Sequence, residues 1–156
     1  MMKKSAGIAL ATLSVLTLSA CGASGPDAPT RNIRQVSDGV EGQSGNILIR
    51  DLLLVAQGDG SAVLVGTFLN NGQSADALTG ITVNNIAAKL SAASYPLVLN
   101  TPVIFSGDSA NASGSVAGLN TPVGSRVDIT VNFQSAAPVT LSAIVRAQAD
   151  YFKNVK

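Results

Sequence analysis

The apolar positions fall into three successive patterns along this chain. From residue 6 to 18 they form a nearly unbroken run, "AGIALATLSVLTL". From Gly22 to Gly45 the large apolar residues are isolated: only Ile33, Val36 and Val40 interrupt a Gly-, Pro-, Ser- and Asp-rich stretch. Beyond Gly45 they alternate. "RVDITVNF" puts Val127, Ile129, Val131 and Phe133 on one face and Arg126, Asp128, Thr130 and Asn132 on the other. "PVTLSAIV" repeats the pattern with Val139, Leu141, Ala143 and Val145. A period of two is the signature of a strand with one wet face. "SAAP" between these two segments predicts a hairpin, so the last two strands should pair antiparallel.

The earlier segments carry the same signal with interruptions. "NILIRDLLLV" switches phase between Ile49 and Leu52, which predicts a β-bulge near Arg50 and Asp51. "AVLVGTFLN" is apolar on both faces, as in a central strand, and "NNGQSADA" follows as a polar loop. "TGITVNN", "AAKLSA", "YPLVLNTPVIF" and "ASGSVAGL" complete the set. Pro96 and Pro102 make "YPLVLNTPVIF" an edge or interrupted strand. No long segment has a helical period. The expectation is an all-β, Greek-key β-sandwich (cupredoxin- or immunoglobulin-like) of seven or eight strands over residues 46–149, followed by a tail, 150–156.

The first apolar run is preceded by Lys3 and Lys4 and closed by small residues, the shape of a secretory signal over residues 1–20. It is short for a bilayer span. Leu18, Ser19, Ala20 and Cys21, "LSAC", resemble the lipobox of bacterial lipoproteins. That resemblance implies a diacylglyceryl group on Cys21 Sγ and cleavage just before it. Acyl chains hold a domain at a membrane, and two hold it far more firmly than one. The chain has no other cysteine. The expected location is the extracytoplasmic face of the cell membrane, lipid-anchored, with residues 21–45 as lipidated cysteine and flexible tether.

Composition narrows the function classes. There are 10 Lys and Arg against 9 Asp and Glu, with no His and no Trp. Without Lys3 and Lys4 the balance is eight against nine. No basic cluster exists to bind nucleic acid. Without histidine, serine or cysteine triads that use imidazole are out of reach. A Ser–Lys pair would need Lys89 with Ser91, though Lys89 also reads as a solvated strand residue. Asp59, Asp76, Asp108 and Asp128 are scattered and read as turn caps and solubilising groups. Asp59 and Asp108, in "QGDGSA" and "SGDSANASG", carry the alternative: metal handling in the envelope through oxygen ligands, a hard cation or copper(II) held by carboxylates. Tyr151 and Phe152, beside Lys153 and Lys156, read as a pair that docks a partner or touches lipid headgroups, or as a tail that folds back or frays.

Two stretches resemble the PCu(A)C-type copper chaperone domain. At the start the similarity falls on Ile47 to Arg50, Phe68 to Gly72, Asp76, Leu78 and Gly80. At the end it falls on Gly118, Leu119, Pro122, Gly124, Val127, Ile129, Val131 and Phe133. The lipobox and long tether are most similar to a lipoprotein branch seen in actinobacteria. The resemblance implies a β-sandwich that binds copper(I) through two His and two Met, soft donors suited to that ion. The positions that correspond lie near Ala87 to Ala93 and near Ser113, Ser115 or Ala117, and none is His, Met or Cys. The expectation is therefore a non-enzymatic envelope module without cofactor or family-type metal site, acting on an envelope protein partner and held to the membrane through Cys21.

Overall fold

A computed structural model describes residues 38–156. The export segment, Leu18, Ser19, Ala20 and Cys21, and the tether as far as Ser37 lie outside the described residues. Eleven strands and one short 3-10 turn follow. A hairpin, β1 (Val40–Ser44) and β2 (Ile47–Ala56), leads into β3 (Ala62–Asn70) and β4 (Asp76–Val83). Five short strands come next: β5 (Ile86–Ala87), β6 (Lys89–Leu90), β7 (Tyr95–Leu97), β8 (Val103–Phe105) and β9 (Gly114–Val116). The final hairpin is β10 (Arg126–Phe133) and β11 (Val139–Ala147), with the 3-10 turn at Asp150–Phe152.

The architecture is the expected all-β sandwich, nearly closed into a barrel. One sheet holds β1, β2, β3, β6, β8 and β9; the other holds β4, β5, β7 and β10. β11 belongs to both. Its first part runs antiparallel to β10, from Val131 opposite Val139 to Arg126 opposite Ile144. Its last three residues, Val145–Ala147, run parallel to Leu54–Ala56 of β2. Val127, Ile129, Val131 and Phe133 are all buried, as their alternation predicts. All eight expected strand segments are present. "AAKLSA" divides into β5 and β6, and "YPLVLNTPVIF" divides into β7 and β8. β7 pairs with β4 and β8 with β3, so the second break is a crossing between the sheets.

Asn70 holds that crossing. Its side chain is buried and fully used: Nδ2 donates to the carbonyls of Ser74 and Leu97 at 2.8 Å each, and Oδ1 accepts from Gly72 N–H at 2.9 Å. A buried amide with every partner in place specifies one geometry, because losing a partner would leave a desolvated polar atom. Phe105 then packs edge-on between Phe68 (5.7 Å) and Tyr95 (5.5 Å), joining β3, β7 and β8 at the core.

The bulge lies where the phase switch predicts it, between Arg50 and Leu53, with Asp51 in the left-handed region at φ 53°. The tether boundary needs correction. Residues Val40–Ser44, expected in the tether, form β1, so the domain begins before residue 46. Apolar content is a poor guide here because β1 is held by other means. It pairs with the first half of β2, and Glu41 meets Arg50 and Asp38 meets Arg146 at 3.3 Å each. Gly39 N–H donates to Asp51 Oδ1 at 2.9 Å. Gly42 lets Leu141 close over the strand, since a Cβ there would lie 2.6 Å from Leu141 Cδ1. The C-terminal tail folds back. Phe152 and Val155 bury themselves on Leu53, Val55 and Val63, which explains why β3 is apolar on both faces.

Asp76 fixes the hairpin loop between β10 and β11. Its Oδ1 accepts from Ala77 N–H (2.7 Å) and Ser135 N–H (2.9 Å), and its Oδ2 from Ala136 N–H (2.8 Å). Partial burial pushes its carboxyl up, but these backbone donors outweigh burial and hold it below the ordinary 3.8. A lowered folded-state pKa gives stability that is full above 3.8 and lost as pH falls through the folded value. Asp76→Asn should therefore cost about 1–3 kcal/mol at neutral pH. In denaturant melts the gap to the parent protein should narrow as the solution is acidified.

Candidate functional site

β6 and β9 are distant in sequence and adjacent in space, with Lys89 opposite Ser115 and Leu90 opposite Gly114. The pairing brings together the two stretches, 87–93 and 113–117, in which the chemistry implied by the resemblance would reside. A groove of about 310 Å³ runs over the junction, lined by Lys89, Ser91, Ser113, Ser115, Val63 and Lys156 among others. Its floor is closed at Gly114, where a Cβ would lie 2.7 Å from Leu64 Cδ1 and 2.9 Å from Leu90 Cδ2.

A hydroxyl network locks the junction. Ser91 N–H donates to the Ser113 carbonyl at 3.0 Å, and Ser113 N–H donates to Ser91 Oγ at 3.1 Å. Ser91 Oγ and Tyr95 Oη lie 2.7 Å apart, and Tyr95 Oη accepts Ala92 N–H at 3.1 Å. Tyr95 Oη also lies 3.4 Å from the Ser113 carbonyl, to which it can donate. All these bonds hold at once if Ser91 Oγ donates to Tyr95. Ser91 is thereby committed to Tyr95 and Ser113, so a Ser–Lys pair with Lys89 is not assembled. Tyr95 was not among the residues the sequence singled out; its signal was a lone tyrosine inside an aromatic-poor strand segment.

Chemically, the junction offers hydroxyls and two ammonium groups. Copper(I) prefers thiolate, thioether and imidazole, and two nearby positive charges oppose any cation. The donor set does not fit copper(I). The other candidates are dispersed. Asp59 accepts Ser61 Oγ at 2.6 Å and Ser61 N–H at 2.9 Å, bonds that lower its pKa and make it a turn cap. Asp76 caps the last hairpin, Asp128 is exposed on β10, and Asp108 lies at the rim of a separate cavity. Among the described residues no three acidic side chains gather into a metal-binding group. Tyr151 is 89% exposed while Phe152 is buried.

With this geometry in view, solved structures place the fold. A copper-bound PCuAC domain from PmoF2 superposes with a TM-score of 0.60 at 22% identity, covering 69% of this chain and 98% of that one. An apo PCuAC domain from PmoF1 gives 0.60 at 21%, covering 69% and 99%. An apo PmoF2 PCuAC domain gives 0.61 at 21%, covering 71% and 98%. The fold is of the PCuAC type. No protein-family model matches the chain, and neither does any curated protein. Within this PCuAC-type domain, the motif residues Asn70 and Asp76 hold loops and Leu78 fills the core.

Removing one oxygen from the network tests it. Tyr95→Phe keeps the ring but removes the oxygen that pairs with Ser91 Oγ and Ala92 N–H; both residues are exposed to water, so the cost should be that of a net hydrogen bond, about 0.5–1.5 kcal/mol. Amide exchange should accelerate at Ala92 and Ser113 and stay unchanged in the β10–β11 ladder.

Proposed function

We propose that this protein is a non-catalytic, lipid-anchored component of the cell envelope. Its PCuAC-type domain has lost copper(I) binding and serves as a binding module for an envelope partner. One observation carries the reading: where β6 meets β9, the chain presents Lys89, Ser91, Ser113 and Ser115 and no soft donor. The whole sequence contains no histidine, and its two methionines are Met1 and Met2, at the head of the export-like segment. The absence of imidazole and the engagement of Ser91 by Tyr95 support a non-enzymatic role. The lipobox-like Leu18, Ser19, Ala20 and Cys21 support the anchor, which places the module on the extracytoplasmic face of the membrane.

One variant tests both halves. Full-length protein carrying Cys21→Ser should move from the membrane fraction to the soluble fraction; unchanged membrane retention would refute the anchor. The same variant, free of its thiol, should fail to compete with a chelator for copper(I). Tight one-to-one binding would overturn the loss of the metal site.

A further inference from the structure

The returning tail builds a second concavity that shares no lining residue with the β6–β9 groove. It measures about 420 Å³, within the roughly 300–1,000 Å³ range of small-molecule sites. One wall is the outer face of β3 (Val65, Thr67) with Ile104 of β8, and the opposite wall is Tyr151 and Asn154 of the tail. Asp51, at the bulge, and Asp108, in the loop after β8, stand at its edges.

We infer that this cavity binds an uncharged pyranose sugar. A pyranose has hydroxyls around its rim and C–H bonds on its faces, so its site needs an aromatic platform and several planar hydrogen-bonding groups. Both are present. Tyr151 is almost wholly exposed, yet its ring is oriented by an edge-to-face contact with the buried Phe152 at 5.3 Å and 88°. The face of such a ring is electron-rich and attracts polarised C–H groups. A rigid, amphipathic tyrosine also gives contact area at little conformational cost.

The polar groups are of the matching kind. The Asp108 carboxylate has no hydrogen-bond or ion-pair partner among the described residues. Asp51 spends Oδ1 on Gly39 N–H. Carboxylates accept hydroxyl hydrogens in pairs, and Asn154 and Thr67 add both donors and acceptors. No lysine or arginine lines the cavity, so a phosphate or carboxylate ligand would meet only negative charge. The backbone is also held in unusual conformations here. Asp51 (φ 53°) and Ser106 (φ 72°) are left-handed non-glycine residues on the lining, and Gly66 and Gly107 are left-handed beside them. Such positions collect where side chains must be aimed for a ligand.

The test is a titration of the full-length protein with methyl glucoside, methyl galactoside, methyl mannoside and N-acetylglucosamine. Each is followed by amide resonances up to concentrations on the order of 10 mM. At least one should give saturable shifts at Thr67, Tyr151 and Asn154. Tyr151→Ala, at an exposed position that folding does not need, should weaken that binding about tenfold, and Asp108→Asn should weaken it by a similar factor. Tyr151→Trp should retain it, which loss of a merely structural tyrosine contact would not predict. Three outcomes would overturn the proposal: no response to any of the four sugars, undiminished binding by Tyr151→Ala, or saturable shifts with calcium chloride but none with sugar. Copper(I) competition reads the other groove, so failure here leaves the reading of the metal site standing on its own result.

Discussion

The domain depends on one irregularity in one strand. β2 must pair with β3 along its length, with β1 along its first half and with β11 along its second. A regular strand would send every second side chain to the same face. The bulge at Arg50 and Asp51 inserts a residue and resets the phase, so Ile47 and Ile49 before it and Leu52 and Leu54 after it all reach the main core. The same reset turns Leu53 and Val55 outward to form the surface on which Phe152 and Val155 settle. Asp51, left-handed at the bulge, accepts the Gly39 amide and so fixes where β1 begins. Gly66, opposite on β3, makes room: a Cβ there would lie 3.2 Å from Leu52 Cα.

The β6–β9 junction is built from hydroxyls and backbone groups. Its packing is complete without a ligand. Gly114 closes the floor, Ser91, Tyr95 and Ser113 satisfy one another, and the aromatic contact of Tyr95 with Phe105 ties the network to the core. Ser91 and Ser113 are exposed and only Tyr95 is buried, so the network anchors the rim of the junction to the core through the tyrosine. The Asn70 crossing, the Asp76 cap and the alternating core of β10 hold the sandwich in this chain.

The tail has the opposite character. It adds little regular structure, yet it covers the outer face of β2 and β3 and supplies one wall of the cavity beside Thr67 and Ile104. A surface formed by a returning terminal segment is open to variation without disturbing the sheets, since its residues make few ladder hydrogen bonds.

Local pattern alone determined much of this molecule. Period-two alternation in β10 and β11, the phase slip at Arg50 and Asp51, and the Pro102 break just before β8 are all legible in the sequence because each is a relation between near neighbours. So is the absence of histidine, and of any methionine or cysteine beyond Cys21, which is a matter of inventory. What the tertiary structure decided are relations between distant residues. β1 carries too few apolar side chains to announce itself and exists because β2 offers it an unpaired edge. The second apolar face of β3 was legible, and so was a tail that folds back, but not that Phe152 and Val155 are the residues that cover Leu53, Val55 and Val63. Tyr95 became a network centre only when the crossing between sheets set it beside Ser91 and Ser113. Side-chain period encodes which face is buried; what is buried against it is settled by the closure of the chain on itself.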